Sequence, residues 1–143
     1  MEMWNGERIN HSCLHWGHFN GEDWNKHRVI ETEAGARIED ARGMEFGVAW
    51  EEGADGDRME RGRLVWYVDR KAVMKARVPQ GTRRLEEWNV VLNVAMGGNV
   101  CAGKVPRDGV YQMVVHELKM CTEPVGGWNA FEREWAAAKE GHP

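Results

Sequence analysis

The sequence predicts an all-β protein, an antiparallel sandwich with a short helix at its C-terminal end. Three features support this fold class: short alternating or β-branched stretches recur along the chain, glycine clusters separate them, and helical spacing is confined to the C-terminal end. Strands that follow one another with turn signals between them favour a sandwich over alternating strands and helices. The 143 residues, 42% hydrophobic and 29% charged, suit one globular domain.

The composition excludes two classes of partner. With 19 basic and 23 acidic residues the net charge is −4, whereas nucleic-acid binding needs a concentrated basic face. No apolar run approaches the ~20 residues that span a bilayer, so no membrane partner is expected. No signal segment follows Met1 either.

Eight tryptophans and 17 glycines are typical of carbohydrate-binding β proteins, although tryptophan also fills cores.

The predicted strands follow from period-two alternation and from runs rich in Val, Phe and Trp. In chain order they cover residues 11–16, 28–32, 45–51, 64–68, 71–75, 89–96 and 109–120. Alternation in the first strand separates two sets of side chains, His11, Cys13 and His15 on one face and Ser12, Leu14 and Trp16 on the other. Strands 64–68 and 71–75 are predicted to form a hairpin around Asp69 and Arg70.

The C-terminal end carries the helix signal. Asn129 followed by Glu132 is a capping-box pattern, and Phe131, Trp135 and Ala138 follow at helical spacing. A helix is therefore predicted over residues 130–140, ending at Gly141. Its aromatic stripe is expected to dock on the sandwich; the alternative is a helix that binds a partner.

The cysteines and histidines predict no metal site and no cofactor. The three cysteines match no zinc-finger spacing, and the set of His11, Cys13, His15 and His18 suits no single strand or helix geometry. Cys101 and Cys121 flank a predicted strand and could form a disulfide in an exported protein. The alternative is three reduced thiols.

Four segments in order resemble glycoside hydrolase family 16. Leu64-Val-Trp-Tyr-Val-Asp69 resembles the family's strand ending in Tyr-x-Asp, and Val91-Leu-Asn-Val-Ala-Met-Gly-Gly98 resembles its Leu-Asn-x-Ala-x-Gly-Gly strand. Val48-Ala-Trp50 stands where the family has Val-Glu-Trp, and Met113-Val-Val-His-Glu-Leu-Lys-Met120 resembles its last strand. The resemblance implies a concanavalin-like jelly roll, incomplete here over residues 1–122 and followed by a linker and helix over 123–143. It also implies an extracellular enzyme that cuts internal β-linkages in glucans.

The start of the chain resembles the end of the family's catalytic strand, Glu-x-Asp-x-x-Glu. Met1-Glu2-Met3-Trp4-Asn5-Gly6 would then place Glu2 as the general acid/base. The nucleophilic glutamate and about half of the sandwich are expected to lie upstream of Met1. Because a retaining glycosidase needs two carboxyls roughly 5–5.5 Å apart, this chain alone is expected to be inactive. Viewed without the family, Glu2 is a solvated terminal residue.

Four further residues are candidate sugar contacts, each with a structural alternative. Trp4 and Trp16 are candidate stacking platforms, although most tryptophans belong to cores. His15 could donate a hydrogen bond to a sugar hydroxyl or be a satisfied structural histidine. Asn93 lies opposite the bulky apolar side chains of its strand, either against the sugar or as a buried, hydrogen-bonded amide.

Departures from the family pattern limit what the resemblance implies. His116 stands where the family has an aspartate associated with calcium, so no calcium is expected there. Arg70 stands where glycine is usual, which disfavours a two-residue turn with positive φ. The predicted partner is β-glucan, with a non-catalytic sugar-binding protein or a remnant without function as alternatives. A half sandwich would also expose strand edges, which predicts self-association.

Overall fold

The computed structural model describes residues 1–3, 7–17, 21–35, 41–53, 62–79, 82, 84–94 and 104–143. Within them the chain forms two three-stranded antiparallel sheets and one α-helix, which confirms the all-β class with a C-terminal helix. Sheet 1 contains β1 (Glu2–Met3), β2 (Ile9–His15) and β3 (His27–Glu33). Sheet 2 contains β4 (Phe46–Glu52), β5 (Gly62–Val68) and β6 (Lys71–Val78), followed by a 3₁₀ turn (Leu85–Glu87) and α1 (Trp128–Ala137). No helix in the described part has the length and apolar character needed to cross a bilayer.

The core lies between the two sheets. Leu14 of β2 is 3% exposed and packs with a cluster from sheet 2 and the 3₁₀ turn, formed by Leu64, Trp66, Met74, Ala76, Val78 and Leu85. Trp16 and Ile30 of the sheet 1 hairpin pack against the same cluster. The alternation predicted for residues 11–16 is therefore confirmed, since Leu14 and Trp16 both meet the core.

Only part of sheet 2 is covered by sheet 1. Strand β4 pairs with β5 in the register Phe46↔Val68, Val48↔Trp66 and Trp50↔Leu64. Directly opposed residues share a face, so the apolar side chains of β4 continue the core-facing surface. They nevertheless remain 38–42% exposed, which leaves an apolar margin along β4, the edge strand of sheet 2 among the described strands.

The β5–β6 hairpin closes through a two-residue turn despite the absence of glycine. Asp69 and Arg70 have φ of 47° and 65°, so the expectation that Arg70 disfavours such a turn is wrong. The Asp69 N–H donates to the Glu45 carbonyl at 2.8 Å, and the Glu45 N–H donates to Asp69 Oδ1 at 3.2 Å. Arg70 Nε lies 2.9 Å from Glu45 Oε2. These contacts hold both turn residues in place.

Two predicted strands are not formed by the described residues of their stretches. Within the described parts of these stretches, residues 89–94 and 109–120, none belongs to a strand; residues 95 and 96 lie outside the described residues. An alternating sequence becomes a strand only when a neighbouring strand pairs with its N–H and carbonyl groups. The described part of the fold supplies no such neighbour, so these two predictions are wrong.

Helix α1 begins two residues earlier than predicted and ends three residues sooner. Its N-cap is Gly127, with φ of 76° and no side-chain cap, so Asn129 lies inside the first turn instead of capping it. The Gly127 N–H donates to the Pro124 carbonyl at 2.8 Å, and this turn sets where the helix starts. The helix ends at Ala137 because the chain beyond it pairs with the two sheets.

The aromatic stripe of α1 docks on sheet 2, as predicted. Phe131 is fully buried, and its ring stacks 6.4 Å from that of Trp135. The Arg63 guanidinium of β5 lies 5.3 Å from each of these two rings. Lys75 of β6 also donates to the Trp135 carbonyl at 2.9 Å. The helix is therefore an integral layer of the described fold.

Candidate functional site

The face of sheet 1 that points away from the core carries several titratable side chains. The register pairs Glu2 of β1 with His11 of β2, and His11 with Glu31 of β3. These three side chains therefore form one cross-strand row. Four residues further along β2, His15 pairs with His27. We call this surface the Glu2 face, defined by Glu2, His11, Cys13, His15, His27 and Glu31.

The hydrogen-bond pattern brings the opposed side chains of this face close together. The Trp16 N–H donates to the Lys26 carbonyl at 3.2 Å, so the neighbouring pair, His15 and His27, is of the non-hydrogen-bonded type. Side chains of such pairs lie closer than those of hydrogen-bonded pairs. The His15 and His27 rings stack with centroids 5.7 Å apart and planes 28° apart. Two imidazoles thus sit side by side at one end of the face.

His11 lies at the centre of the row and is buried, with 4% exposure. Its Nδ1 lies 3.6 Å from Glu31 Oε1, and the Glu31 side chain is 65% exposed. Glu2, on the other side of His11, is also exposed. The row therefore presents a carboxylate to solvent on each side of a buried imidazole.

Cys13 lies on this face, and its thiol is a weak nucleophile at neutral pH. Burial raises its pKa, the Glu2 carboxylate adds to the rise, and the N-terminal ammonium opposes it. A raised pKa keeps the thiol protonated at neutral pH, and a protonated thiol is a weak nucleophile. Cys13 is therefore a poor candidate for a nucleophile.

Two of the other predicted sugar contacts, Trp16 and Asn93, lie away from the Glu2 face. The Trp16 ring packs against the core on the opposite side of sheet 1, and the Arg28 guanidinium covers it at 5.0 Å. Asn93 is exposed in a segment outside both sheets. Trp4 lies outside the described residues. Of the predicted set, Glu2 and His15 share one face of sheet 1, but the register places their backbones about 14 Å apart.

Two residues of this face were missed by sequence reasoning. The strand containing Glu31 was predicted, but Glu31 was not singled out, and His27 immediately precedes that predicted strand. Period-two alternation groups Glu31 and His27 on one face of β3. Which residues of β2 they meet depends on the pairing register, and this is a tertiary property.

A shallow depression adjoins the Glu31 end of the row. It has a volume of about 380 Å³ and is lined by Arg8, Ile9, Glu31, Thr32 and Glu33. Its lining combines the polar groups of Arg8, Thr32 and the two glutamates with a larger share of apolar surface, so it favours no class of ligand.

The described residues were searched for metal-binding groups and for paired cysteines. They contain no group of three or more His, Cys, Asp or Glu side chains arranged to hold a metal ion. His18 lies outside them. Cys121 is a free, exposed thiol, and Cys101 also lies outside the described residues.

Comparisons with known proteins add no relative. No protein-family model matches the chain, and no match is found among curated proteins or solved structures.

Proposed function

We propose that this chain forms the acid/base side of a β-glucan-cleaving site of the family 16 type, with the Glu2 face as the sugar-binding surface. The observation that carries the proposal is the cross-strand row Glu2–His11–Glu31 on the Glu2 face, in which both glutamates are exposed. It supports the proposal because an exposed strand carboxylate flanked by polar groups can reach a glycosidic oxygen. The resemblance at Met1 to Gly6 supplies the role of Glu2.

In the complete retaining reaction, Glu2 acts twice. As an acid it gives its proton to the leaving glycosidic oxygen while a nucleophilic carboxylate attacks the anomeric carbon. As a base it then takes a proton from the water that hydrolyses the glycosyl–enzyme intermediate. The resemblance places the nucleophile upstream of Met1. His15 and His27 contribute hydrogen bonds to sugar hydroxyls.

The spacing of the two exposed carboxylates favours binding without cleavage in the chain alone. Glu2 and Glu31 lie on strands two spacings apart, which separates their backbones by roughly 10 Å. A retaining pair needs roughly 5–5.5 Å and an inverting pair about 6.5–9.5 Å. Non-catalytic carbohydrate binding is therefore the second candidate function, and it uses the same surface.

Titration with laminarin and lichenan oligosaccharides tests both candidates. We expect calorimetry to show that the wild-type chain binds these oligosaccharides. A reducing-sugar assay of the same chain should show no cleavage. His15→Ala should weaken binding roughly two- to tenfold, the effect of losing one hydrogen bond. Glu87→Gln, at an exposed carboxylate of the 3₁₀ turn, is the control and should bind like wild type.

Three outcomes would contradict these statements. If the folded wild-type chain bound neither glucan, the assignment of the Glu2 face as a sugar-binding surface would be contradicted. Turnover abolished by Glu2→Gln but retained in Glu31→Gln would show that the chain alone is active through Glu2. Turnover abolished by both substitutions would indicate that this pair works as acid and base in an inverting reaction. Circular dichroism of each variant separates these effects from unfolding.

A further inference from the structure

Two histidines face each other across the β2–β3 pair at one end of the Glu2 face. His15 pairs with His27 in the antiparallel register, and their ring centroids lie 5.7 Å apart. The pair is of the non-hydrogen-bonded type, in which the Cβ atoms stand at the lower end of a range of about 4.5–5.5 Å. Two imidazoles that start so close together can each direct a ring nitrogen at the same point.

The nitrogens of both rings are available to a ligand. Neither imidazole has a hydrogen-bond or ion-pair partner among the described residues. His15 is exposed and His27 is half-buried, so both rings can turn about χ2, a torsion with broad energy wells. The lone pair of a neutral imidazole is the commonest protein ligand for transition metals.

The separation of the rings matches that of two imidazoles on one metal ion. A metal–nitrogen bond is about 2.0–2.1 Å long, and a ring nitrogen lies about 1.1 Å from its ring centroid. Two imidazoles on one ion, at an angle between about 90° and 180°, therefore have centroids roughly 4.5–6.3 Å apart. The observed 5.7 Å lies within this range, so rotation of the rings can bring both nitrogens onto one ion.

The cations that flank the pair in sequence point elsewhere. Lys26 Nζ lies 2.5 Å from Asp23 Oδ1, and the Arg28 guanidinium covers the Trp16 ring on the core side of sheet 1. Alternation directs the Lys26 and Arg28 side chains away from the face that carries His27. A cation bound by the histidine pair would therefore meet no uncompensated positive charge from these two neighbours.

We propose that His15 and His27 together bind one divalent ion of a late first-row transition metal, through one ring nitrogen each, with water completing the coordination. Cu²⁺ binds more tightly than Ni²⁺ or Zn²⁺, following the general order for nitrogen ligands. Once one imidazole holds the ion, the second binds it intramolecularly, at a high effective concentration. The pair therefore binds the ion more tightly than a single surface histidine does.

The described residues offer this ion two protein ligands and no third. The next pair along the strands is Cys13 with Val29, and the raised pKa of the Cys13 thiol disfavours the thiolate that a metal needs. His142 pairs with Val29 from the other side, so it lies diagonally from His27, a separation of about 7–8 Å. Its Nδ1 donates to the Pro143 carbonyl at 3.1 Å. His142 is therefore the matched control on the same face.

Calorimetric titration of the full chain with Cu²⁺ tests the site, and electron paramagnetic resonance of the equimolar complex counts its nitrogen ligands. Wild type should show one site stronger than the rest, with two imidazole nitrogens. His15→Ala and His27→Ala should each weaken this site more than about tenfold, since even changes next to a metal ligand cost about 10–100-fold. The double variant should lose little more than either single variant, because the two ligands act together. His142→Ala should bind Cu²⁺ like wild type.

Urea denaturation with and without Cu²⁺ gives a second readout. Because the ion bridges β2 and β3 of the folded chain, a concentration a hundredfold above its Kd should raise the folded-to-unfolded ratio of wild type by up to about a hundredfold. The rise should be much smaller in His15→Ala, which alters an exposed side chain and should fold even if His27→Ala does not.

Four outcomes would overturn the proposal. They are wild type binding Cu²⁺ no more tightly than the double variant, a spectrum with a single imidazole nitrogen, an equal loss of affinity in His142→Ala, and equal stabilisation of wild type and His15→Ala by the ion. Circular dichroism of each variant separates loss of the site from loss of the fold.

Discussion

Gly62, the first residue of β5, shows how one missing Cβ atom allows two strands to pair. Its φ is 158°, and a Cβ atom built there would overlap the Glu51 carbonyl oxygen and lie 3.1 Å from Glu52 Cα. Both obstacles are backbone atoms of the paired strand β4, so neither can rotate away. The close approach of β4 and β5 therefore requires glycine at this position.

We predict that Gly62→Ala destabilises the fold by about 1–3 kcal/mol, because the added methyl group forces β4 and β5 apart. Gly47→Ala is the matched control in the same sheet. A Cβ atom there would make an ordinary 3.6 Å contact with Tyr67, so this variant should stay close to wild type. Urea denaturation followed by tryptophan fluorescence measures both. Equal stability of the two variants would contradict the steric argument.

Helix α1 is held to sheet 2 by polar contacts as well as by its aromatic stripe. Arg63 donates through Nε to Glu51 Oε2 at 2.8 Å and through Nη1 to Glu132 Oε2 at 3.0 Å. The Tyr67 hydroxyl donates to Glu134 Oε2 at 2.6 Å. Since Glu132 and Glu134 belong to the helix and their partners to β5, these contacts position the helix on the sheet.

The helix contact should make stability depend on pH in the acid range. The hydrogen bond from Arg63 is the largest cause of the lowered pKa of Glu132. A lowered pKa in the folded state gives stability that is present above the unfolded value, about 4.3. That stability is lost as the pH falls through the lower folded value.

Wild type should therefore lose more stability than Glu132→Gln between pH 6 and pH 3. Because Glu132 is exposed, we expect this difference to be smaller than the effect of Gly62→Ala. Thermal unfolding across this range, with Glu87→Gln as the control, provides the measurement. Parallel pH profiles for wild type and Glu132→Gln would show that the pair does not stabilise the docked helix.

At the scale of the whole molecule, the C-terminal end ties the two sheets together. The Lys75 N–H of β6 donates to the Lys139 carbonyl at 2.8 Å, and the Val29 N–H of β3 donates to the His142 carbonyl at 2.8 Å. The Gly141 N–H returns a bond to the Lys75 carbonyl at 3.0 Å. One short segment thus pairs with an edge strand of each sheet.

Gly141→Ala should loosen this connection. A Cβ atom there would stand 2.8 Å from Arg28 Cβ and 3.0 Å from Met74 Sδ, so we expect a loss of about 1–3 kcal/mol. Hydrogen exchange should accelerate at the Val29 and Lys75 amides, which donate to the C-terminal segment. Gly21→Ala, with nothing within 4 Å of the added atom, is the control. Unchanged protection at both amides would contradict this role.

Much of the fold could be predicted because it depends on local patterns. Alternation in residues 11–16 correctly placed Leu14 and Trp16 toward the core, and helical spacing of Phe131 and Trp135 correctly predicted a docked helix. The Asp69–Arg70 turn was judged unfavourable because local preference ignores Glu45, which contacts both turn residues from another part of the chain. Grouping Glu31 with Glu2 around His11 likewise required the register of three strands.

The sequence by itself determined which stretches alternate, where the helix lies and which faces are apolar, because these properties depend on neighbours within a few residues. Only the tertiary structure decided which alternating stretches became strands. Residues 9–15 pair with β1 and β3, whereas residues 109–120, which were also predicted to be a strand, pair with no strand of the described fold. The physical reason is that a strand is completed by hydrogen bonds to another segment, and the identity of that segment is not encoded in its own pattern.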